Sequence, residues 1–443
     1  MQITEMRGKK VAIWGLGHEG KAAARFIHQV LPDLPLVFID EAEGPDKIDG
    51  LPDGSLVVRG DDAISAALSD IDILVKSPGV SLYHPRIAGL KGRGVKITSL
   101  LNLWMAEAHK AVVICVTGTK GKSTTSALLA HTLNALGRRT VLGGNIGVPV
   151  AEIDGNNADF AVIEVSSYQA ADFDGTCDIA LLTSLRPEHL DWHGGTETYY
   201  KDKINLLTRA TTKIINHETF ETLTGHGIGI QGCLHFNHSG ALHMRDGRIY
   251  DGTRLLGLPQ NTYLARPHNL SNVCGVLTVI KFLGLDLAAA LDAMHNFCGL
   301  PHRQQELGEK NGILYVNDSI ATAPHAAIAA IDVYRSRPLT LIAGGYDRGV
   351  DYQPLIESIL ENKLHAVVCL GPSGKRIHDG IKKLREERVY QAATMQEAMA
   401  RARAETPKGG VILLSPAAPS YGLFRDFVER GRSFAAEAGF KIS

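Results

Sequence analysis

The chain has 443 residues, too many for one ordinary core, so two to four domains are expected. Its 46 basic and 47 acidic residues balance without a like-charge block, which argues against a nucleic-acid partner. No apolar run is long enough to cross a bilayer, Met1 to Glu5 lack a leader-like apolar stretch, and the cysteines at 115, 177, 233, 274, 298 and 369 form no C-x-x-C pair. A cytoplasmic protein with reduced thiols and no membrane partner is expected.

The first strand-like runs are Val11–Trp14, Leu36–Ile39 and Ile71–Val75, in the βαβ rhythm of a small parallel sheet. Gly15-Leu16-Gly17-His18-x-Gly20 follows the first run and opens a helix, and Asp40 lies 20 residues past Gly20. Glycines at this spacing let a diphosphate approach a helix N-terminus, with an acid near a ribose. A nicotinamide dinucleotide or a UDP group would use the same features. Close helix–strand packing alone is a third reading, and nothing adjacent suggests hydride transfer.

A second α/β unit begins with the apolar run Ala111–Val116. Next comes Gly118-Thr119-Lys120-Gly121-Lys122-Ser123-Thr124, and then helical periodicity over Thr125–Leu133. Strand, glycine turn and helix N-terminus make a phosphate cradle. Lys122 would reach the β/γ-phosphates, and the Ser123 or Thr124 hydroxyl would face Mg²⁺. Val116 stands where the strict P-loop pattern has glycine, so this is a shortened version.

Further strands are expected over Phe160–Val165 and Ile179–Ser184. They would bring Glu164 and His189 to the carboxyl edge of the sheet, where ligands gather. Glu164 is a natural hard ligand for Mg²⁺. His189 reads equally as a ligand or as a hydrogen-bonded structural residue. By charge pattern alone Lys203 is a solvated helix residue. Gly and Pro punctuate the chain at Cys298–Pro301, and a third α/β unit follows, with strands over Leu339–Ala343, Ala366–Leu370 and Val411–Leu414. The expected domains are 1–108, 109–299 and 300–443.

Taken together, several motifs resemble the Mur ligases, which add amino acids to the nucleotide precursor of peptidoglycan. They are Gly118 to Thr124, Gly144-Asn145-Ile146-Gly147, Glu164-x-Ser166-Ser167-Tyr168-Gln169, Glu188-His189-Leu190-Asp191 and His268-Asn269-x-x-Asn272. Further along come Leu300-Pro301-His302-Arg303, Asn317-Asp318-Ser319, Gly344-Gly345, Ser415-Pro416 and Phe427-x-x-Arg430-Gly431. The ordered set spans most of the chain and matches the branch that attaches glutamate to UDP-N-acetylmuramoyl-L-alanine. The resemblance implies a three-domain α/β fold: a Rossmann-like N-terminal domain for UDP, a central P-loop ATPase domain and a C-terminal Rossmann-like domain for the incoming amino acid.

By matching position, the resemblance implies that Gly118, Thr119, Lys120, Gly121, Lys122, Ser123 and Thr124 bind the ATP phosphates. Ser123, Thr124 and Glu164 would hold a first Mg²⁺, and His189 with a carbamylated Lys203 a second. Asn269 and Asn272 would read adenine, and Arg303 and Asp318 would close over ATP. Gly15, Leu16, Gly17, His18, Gly20, Asp40, Ser77, Pro78 and Gly79 would hold UDP, with Asn145, Ser166 and Gln169 at the muramoyl-alanine end. Lys122, Glu164, His189 and Lys203 are then the catalytic set. The implied chemistry runs through an acyl phosphate to ADP, phosphate and an amide, the amine proton leaving to His189 or water. A monomer is expected.

Departures from the D-glutamate pattern cluster at the incoming amino acid. Asn-Asp-Ser-Lys-Ala-Thr-Asn becomes Asn317-Asp318-Ser319-Ile320-Ala321-Thr322-Ala323. Arg348 replaces a lysine, and Ser-Pro-Ala-Cys-Ala-Ser becomes Ser415-Pro416-Ala417-Ala418-Pro419-Ser420. An arginine can bind a carboxylate in a bidentate fork, whereas lysine is a point charge. These changes resemble a variant branch that adds L-glutamate and leaves epimerisation to a partner enzyme. Thr322, Arg348, Ser420, Tyr421 and Phe427 are the candidate acceptor residues. An ordinary D-glutamate enzyme, another ATP-dependent amide ligase such as one using folate, a P-loop switch without ligation and a dehydrogenase stand as alternatives.

Overall fold

Short apolar runs, β-branched and free of Pro, make strands buried on both faces, which is the signature of parallel sheets covered by helices. The structure, a computed structural model, describes residues 1–41, 51, 52, 54–107, 109–258, 261, 263–297, 299–384 and 388–441. Ala108, Cys298 and the side chain of His268 lie outside the described residues. The chain divides into two compact units, Met1–Phe297 and Cys298–Ser443.

In the first unit, β1 (Val11–Trp14), β2 (Leu36–Ile39), β3 (Leu56–Val58), β4 (Ile73–Lys76) and β5 (Lys96–Thr98) form a parallel sheet of order β3-β2-β1-β4-β5. The order reverses between β1 and β4, so the loops after these two strands diverge around a crevice. The expected strand at Ile71 starts at Ile73 instead, because the Asp72 carboxylate accepts the Lys10 N–H at 2.8 Å.

A second parallel sheet follows, of order β11-β10-β9-β6-β8-β7. Its strands are β6 (Val112–Thr117), β7 (Thr140–Gly144), β8 (Phe160–Glu164), β9 (Cys177–Leu182), β10 (Ala210–Asn216) and β11 (Cys233–Phe236). One buried apolar cluster runs from Ile3 and Phe38 through Trp104 to Cys115, Leu182 and Ile215, so the two sheets share a core. A second cluster packs helix Lys122–Ala135 and helix Pro267–Phe282 on the other face of the second sheet.

An antiparallel meander, β12 (Leu242–Arg245), β13 (Arg248–Asp251) and β14 (Arg254–Gly257), has no counterpart in the sequence reading. Its signal was present: Asp246 and Gly247 carry φ of 51° and 71°, the left-handed pair that a two-residue hairpin turn requires.

In the second unit, β15 (Gln305–Lys310), β16 (Ile313–Asn317), β17 (Leu339–Gly344), β18 (Ala366–Leu370), β19 (Val389–Ala392) and β20 (Val411–Leu414) form a sheet of order β15-β16-β20-β17-β18-β19. Only edge strand β15 is antiparallel. Separate apolar clusters cover its two faces. Among the described residues no helix is long and apolar enough to cross a membrane.

Candidate active site

β6 ends at Thr117 and the chain turns at once into helix Lys122–Ala135. The turn depends on glycine at two points. Gly118 has φ +150°, and a Cβ there would lie 2.0 Å from Thr183 Oγ1. Gly121, left-handed at φ +85°, would bring a Cβ 2.5 Å from Asn272 Oδ1. The turn is tied down from β9: Thr119 N–H donates to Ser184 O at 2.8 Å, and Thr183 Oγ1 donates to Lys120 O at 2.7 Å. Lys122 Nζ donates to the carbonyls of Gly118 (2.9 Å) and Thr119 (3.1 Å), folded back over the turn. Ser123 and Thr124 are buried in the first helical turn. Lys120, by contrast, is exposed and pairs with Glu188.

Glu164 ends β8 beside the cradle and is 1% exposed. Its Oε1 accepts Asn145 Nδ2 at 2.8 Å, while the buried Oε2 has no hydrogen-bond partner. A buried carboxylate oxygen without a donor is costly, and a cation would relieve it. Lys203, on helix Thr196–Thr208, is also 1% exposed, which corrects the charge-pattern reading of a solvated residue. Its Nζ donates to Gly118 O at 2.7 Å, under the phosphate turn. Burial, aided by the positive charge of Lys122, drives the Lys203 ammonium well below the ordinary lysine range. His189 is left-handed, with φ 55°, and its ring stands 5.1 Å from that of Tyr168. Burial lowers its pKa against the opposing charge of Glu188, and His193, Lys122 and Lys203 add smaller lowering effects. The Ser123 and Thr124 hydroxyls and the unpartnered Glu164 oxygen are hard oxygen donors of the kind that Mg²⁺ takes beside nucleotide phosphates.

Asn269 and Asn272 lie on helix Pro267–Phe282. Asn269 Nδ2 donates to Tyr263 O at 2.8 Å and its Oδ1 accepts from Asn272 at 3.2 Å, so the two amides are ordered as a pair facing Gly121.

The N-terminal crevice is a cavity of about 540 Å³. Gly15, Leu16, Gly17, His18, Asp40, Ser77, Pro78, Gly79 and Asn145 line it, together with Glu19 and Val80, which the sequence reading did not single out. Gly20 makes the turn possible, since a Cβ there would sit 2.0 Å from Gly15 O, whereas a Cβ on Gly17 would meet nothing within 4 Å. Gly17 is therefore the glycine whose face is open to a ligand. Asp40 pairs with Arg59 at 3.3 Å, so this acid is already neutralised. Ser166 and Gln169 form a reciprocal cap, Gln169 N–H to Ser166 Oγ at 3.2 Å and Ser166 N–H to Gln169 Oε1 at 3.0 Å. The remaining Gln169 amide reaches Glu19 Oε1 at 2.8 Å.

In the second unit the candidate residues sit at the carboxyl ends of three neighbouring strands, β16, β20 and β17. Asp318 follows β16, buried, accepting Ser415 Oγ at 2.7 Å and Gln304 N–H at 3.1 Å. Burial pushes its carboxyl up to about 6. Arg303 is exposed near it. The loop after β17 is stitched to the loop after β20, Tyr346 N–H donating to Pro419 O at 2.9 Å. Tyr346 and Tyr421 pack edge-on with centroids 6.3 Å apart, both exposed. Arg348 is exposed, Ser420 buried, and Thr322 and Phe427 half-buried. Arg430, buried, holds the loops by donating to Ser319 O (2.7 Å) and Ala418 O (2.9 Å).

Comparison with known proteins decides the family. Residues 9–99 match the Mur ligase MurD-like N-terminal domain, 116–228 the Mur ligase middle domain and 302–418 the Mur ligase glutamate ligase domain. The chain belongs to the Mur ligase family. It is an ATP-dependent, amide-forming ligase with that family's three-domain architecture. A protein named UDP-N-acetylmuramoyl-L-alanine–L-glutamate ligase from Xanthomonas euvesicatoria pv. vesicatoria is 41% identical, covering 99% of this chain and 97% of its own length. Its namesake from Salinispora tropica is 40% identical over 98% of both. Among solved structures, MurF from Acinetobacter baumannii has a TM-score of 0.57 at 18% identity, covering 99% of this chain and 93% of its own. The UDP-N-acetylmuramate-alanine ligase of Thermotoga maritima has a TM-score of 0.56 at 20% identity, covering 97% and 99%. At such identity these structures speak to the fold alone.

As a Mur ligase the chain carries further groups that motif reading missed. Tyr199 OH lies 2.7 Å from Thr119 Oγ1. His193 Nδ1 lies 2.5 Å from Asp202 Oδ2, and Tyr83 OH donates to Asp202 Oδ1 at 2.6 Å. Asp202 precedes Lys203 directly, so this network sets the rotation of the helix that presents the lysine. No spacing rule links Tyr83 to Asp202 across 119 residues.

Proposed function

We propose that the protein joins L-glutamate to the alanine carboxylate of UDP-N-acetylmuramoyl-L-alanine, with ATP converted to ADP and phosphate, in cytoplasmic peptidoglycan precursor synthesis. The observation that carries the reading is the buried, half-satisfied Glu164 beside the Gly118–Ser123 turn with Lys203 beneath it. Such a pocket suits a metal–triphosphate. The L-configuration is supported by the names of the 40–41% identical relatives and by the altered loops at Ile320, Arg348 and Ala418.

Ser123, Thr124 and Glu164 would hold one Mg²⁺, and His189 with a carbamylated Lys203 a second; the ions supply neutralisation of crowded phosphate charge. The Gly118–Lys122 backbone and Lys122 bind and orient the triphosphate. Asn269 and Asn272 bind adenine, and Arg303 and Asp318 the phosphates and ribose. The Gly15–Gly20 turn and the Ser77–Gly79 loop hold the UDP group. Asn145, Ser166 and Gln169 bring the alanine carboxylate to the γ-phosphate. That carboxylate attacks phosphorus, ADP leaves, and an acyl phosphate forms. The glutamate amine attacks its carbonyl carbon, loses a proton to His189 or water, and the tetrahedral adduct expels phosphate. Thr322, Arg348, Ser420, Tyr421 and Phe427 bind glutamate, Arg348 through its side-chain carboxylate. The functional domains are proposed as 1–108, 109–299 and 300–443, in a monomer whose product passes to an epimerase.

The test is phosphate release from MgATP with UDP-N-acetylmuramoyl-L-alanine and either glutamate enantiomer. L-only activity is expected. D-only activity would make the loop changes neutral variation, and silence with both would reject glutamate as the acceptor.

A further inference from the structure

Glu19 is a carboxyl group where an anion is to bind. It is the second residue of helix His18–Val30 and lines the 540 Å³ cavity. An ionised Glu19 would itself occupy the positive end of this helix and compete with a diphosphate for it. Its surroundings favour the acid form by simple charge count. Two carboxyls, Glu19 and Asp172, face one ammonium, Lys76 at the end of β4. Lys76 is committed elsewhere: its Nζ lies 3.0 Å from Asp172 Oδ2 and donates to Val80 O at 3.0 Å. Asp172 holds the ion pair with Lys76, although its own burial pushes its carboxyl up. Glu19 keeps only the neutral amide of Gln169, at 2.8 Å on Oε1, leaving Oε2 to carry a proton. Burial and the Asp172 charge push the Glu19 carboxyl up to about 7, against the pull of Lys76 and Gln169. His18 on the same helix and Asp40 after β2, paired with Arg59, are the other ionisable groups on the cavity wall and its border.

We propose that Glu19 is a proton-linked selector of the nucleotide-sugar: the diphosphate binds with Glu19 in its acid form, and one proton enters from solvent with the ligand wherever Glu19 is ionised. This rests on the reading of the Gly15–Gly20 crevice as the UDP-substrate site. A neutral Glu19 donates a hydrogen bond towards a phosphate oxygen, and an ionised one repels it. Affinity therefore falls as pH rises past the Glu19 pKa, although the ligand's own phosphodiesters and carboxylate stay ionised throughout.

The experiment is calorimetric titration of the full chain with UDP-N-acetylmuramoyl-L-alanine, without ATP, in buffers of differing ionisation enthalpy. Close to one proton taken up per ligand at about pH 8, almost none at about pH 6, and a Kd rising roughly tenfold per pH unit above neutrality are expected. Glu19→Gln should abolish the uptake and flatten the Kd profile. Binding without uptake in the unaltered protein overturns the proposal by itself, whether or not the Gln variant folds. Uptake that survives Glu19→Gln overturns it too. Absence of binding at every pH overturns both this proposal and the assignment of the crevice.

Discussion

The proposed phosphate cradle of the first unit and the proposed acceptor loops of the second are built on one plan, loops at the carboxyl ends of parallel strands, yet they differ in burial. Around the cradle Ser123, Thr124, Glu164 and Lys203 are all buried, and their partners are fixed by glycine turns and short hydrogen bonds. In the second unit Arg348, Tyr346 and Tyr421 stand exposed on loops pinned from behind by Arg430. Triphosphate chemistry needs charges held still in a site that excludes water. Choice of amino acid needs contact groups that can be changed without disturbing a core. The shortened phosphate motif lies in the first unit, and the departures from the D-glutamate pattern at Ile320, Arg348 and Ala418 lie in the second.

Removing the cradle's charge tests the first half of that contrast most severely. Lys122→Ala should lower kcat by about a thousandfold or more while thermal unfolding stays within a few degrees of the parent; undiminished phosphate release would remove Lys122 from the cradle. Next in size is a stability effect. Asp318 has a folded pKa of about 6 against an ordinary 3.8. Folding therefore favours its protonated form, and the associated stability, complete below the ordinary value, is lost as pH rises through about 6. Relative to Asp318→Asn, the parent's unfolding free energy should drop by about 3 kcal/mol from acid to neutral pH, measured by denaturant titration of the same chain. Parallel profiles would mean the carboxyl is not desolvated.

Arg348→Ala should raise the KM for glutamate roughly 10- to 100-fold with the KM for ATP unchanged, and Arg348→Lys should recover part of the loss. Equal effects on both substrates would erase the distinction between cradle and acceptor loop. Smallest is Tyr83→Phe, which loses one hydrogen bond to Asp202 and should cost about 1 kcal/mol of stability with a modest fall in kcat. A neutral result would show that the helix carrying Lys203 holds its rotation without Tyr83.

Legibility in the sequence followed locality. The βαβ rhythm, the glycine turns after β1 and β6, and the carboxylate ending β8 were all visible, because each is set by residues within a few positions of one another. The β12–β13 hairpin is equally local, set by the left-handed pair Asp246-Gly247. Lys203 shows what was not legible. Its neighbours Tyr200, Lys201 and Asp202 suggest a surface helix, and only the packing of that helix under the Gly118 turn makes the lysine a buried group.

By itself, the sequence determined the family through its ordered motifs, and the three α/β sheets and the glycine turns through periodicity and glycine placement, which are local and stereochemical. Tertiary structure alone decided which charges have partners. Glu164 keeps one oxygen unsatisfied, Asp40 is spoken for by Arg59, and Glu19 is left facing Asp172 with its lysine already taken. Pairing and desolvation depend on groups brought together from distant parts of the chain, and they set protonation through distances that no spacing rule contains.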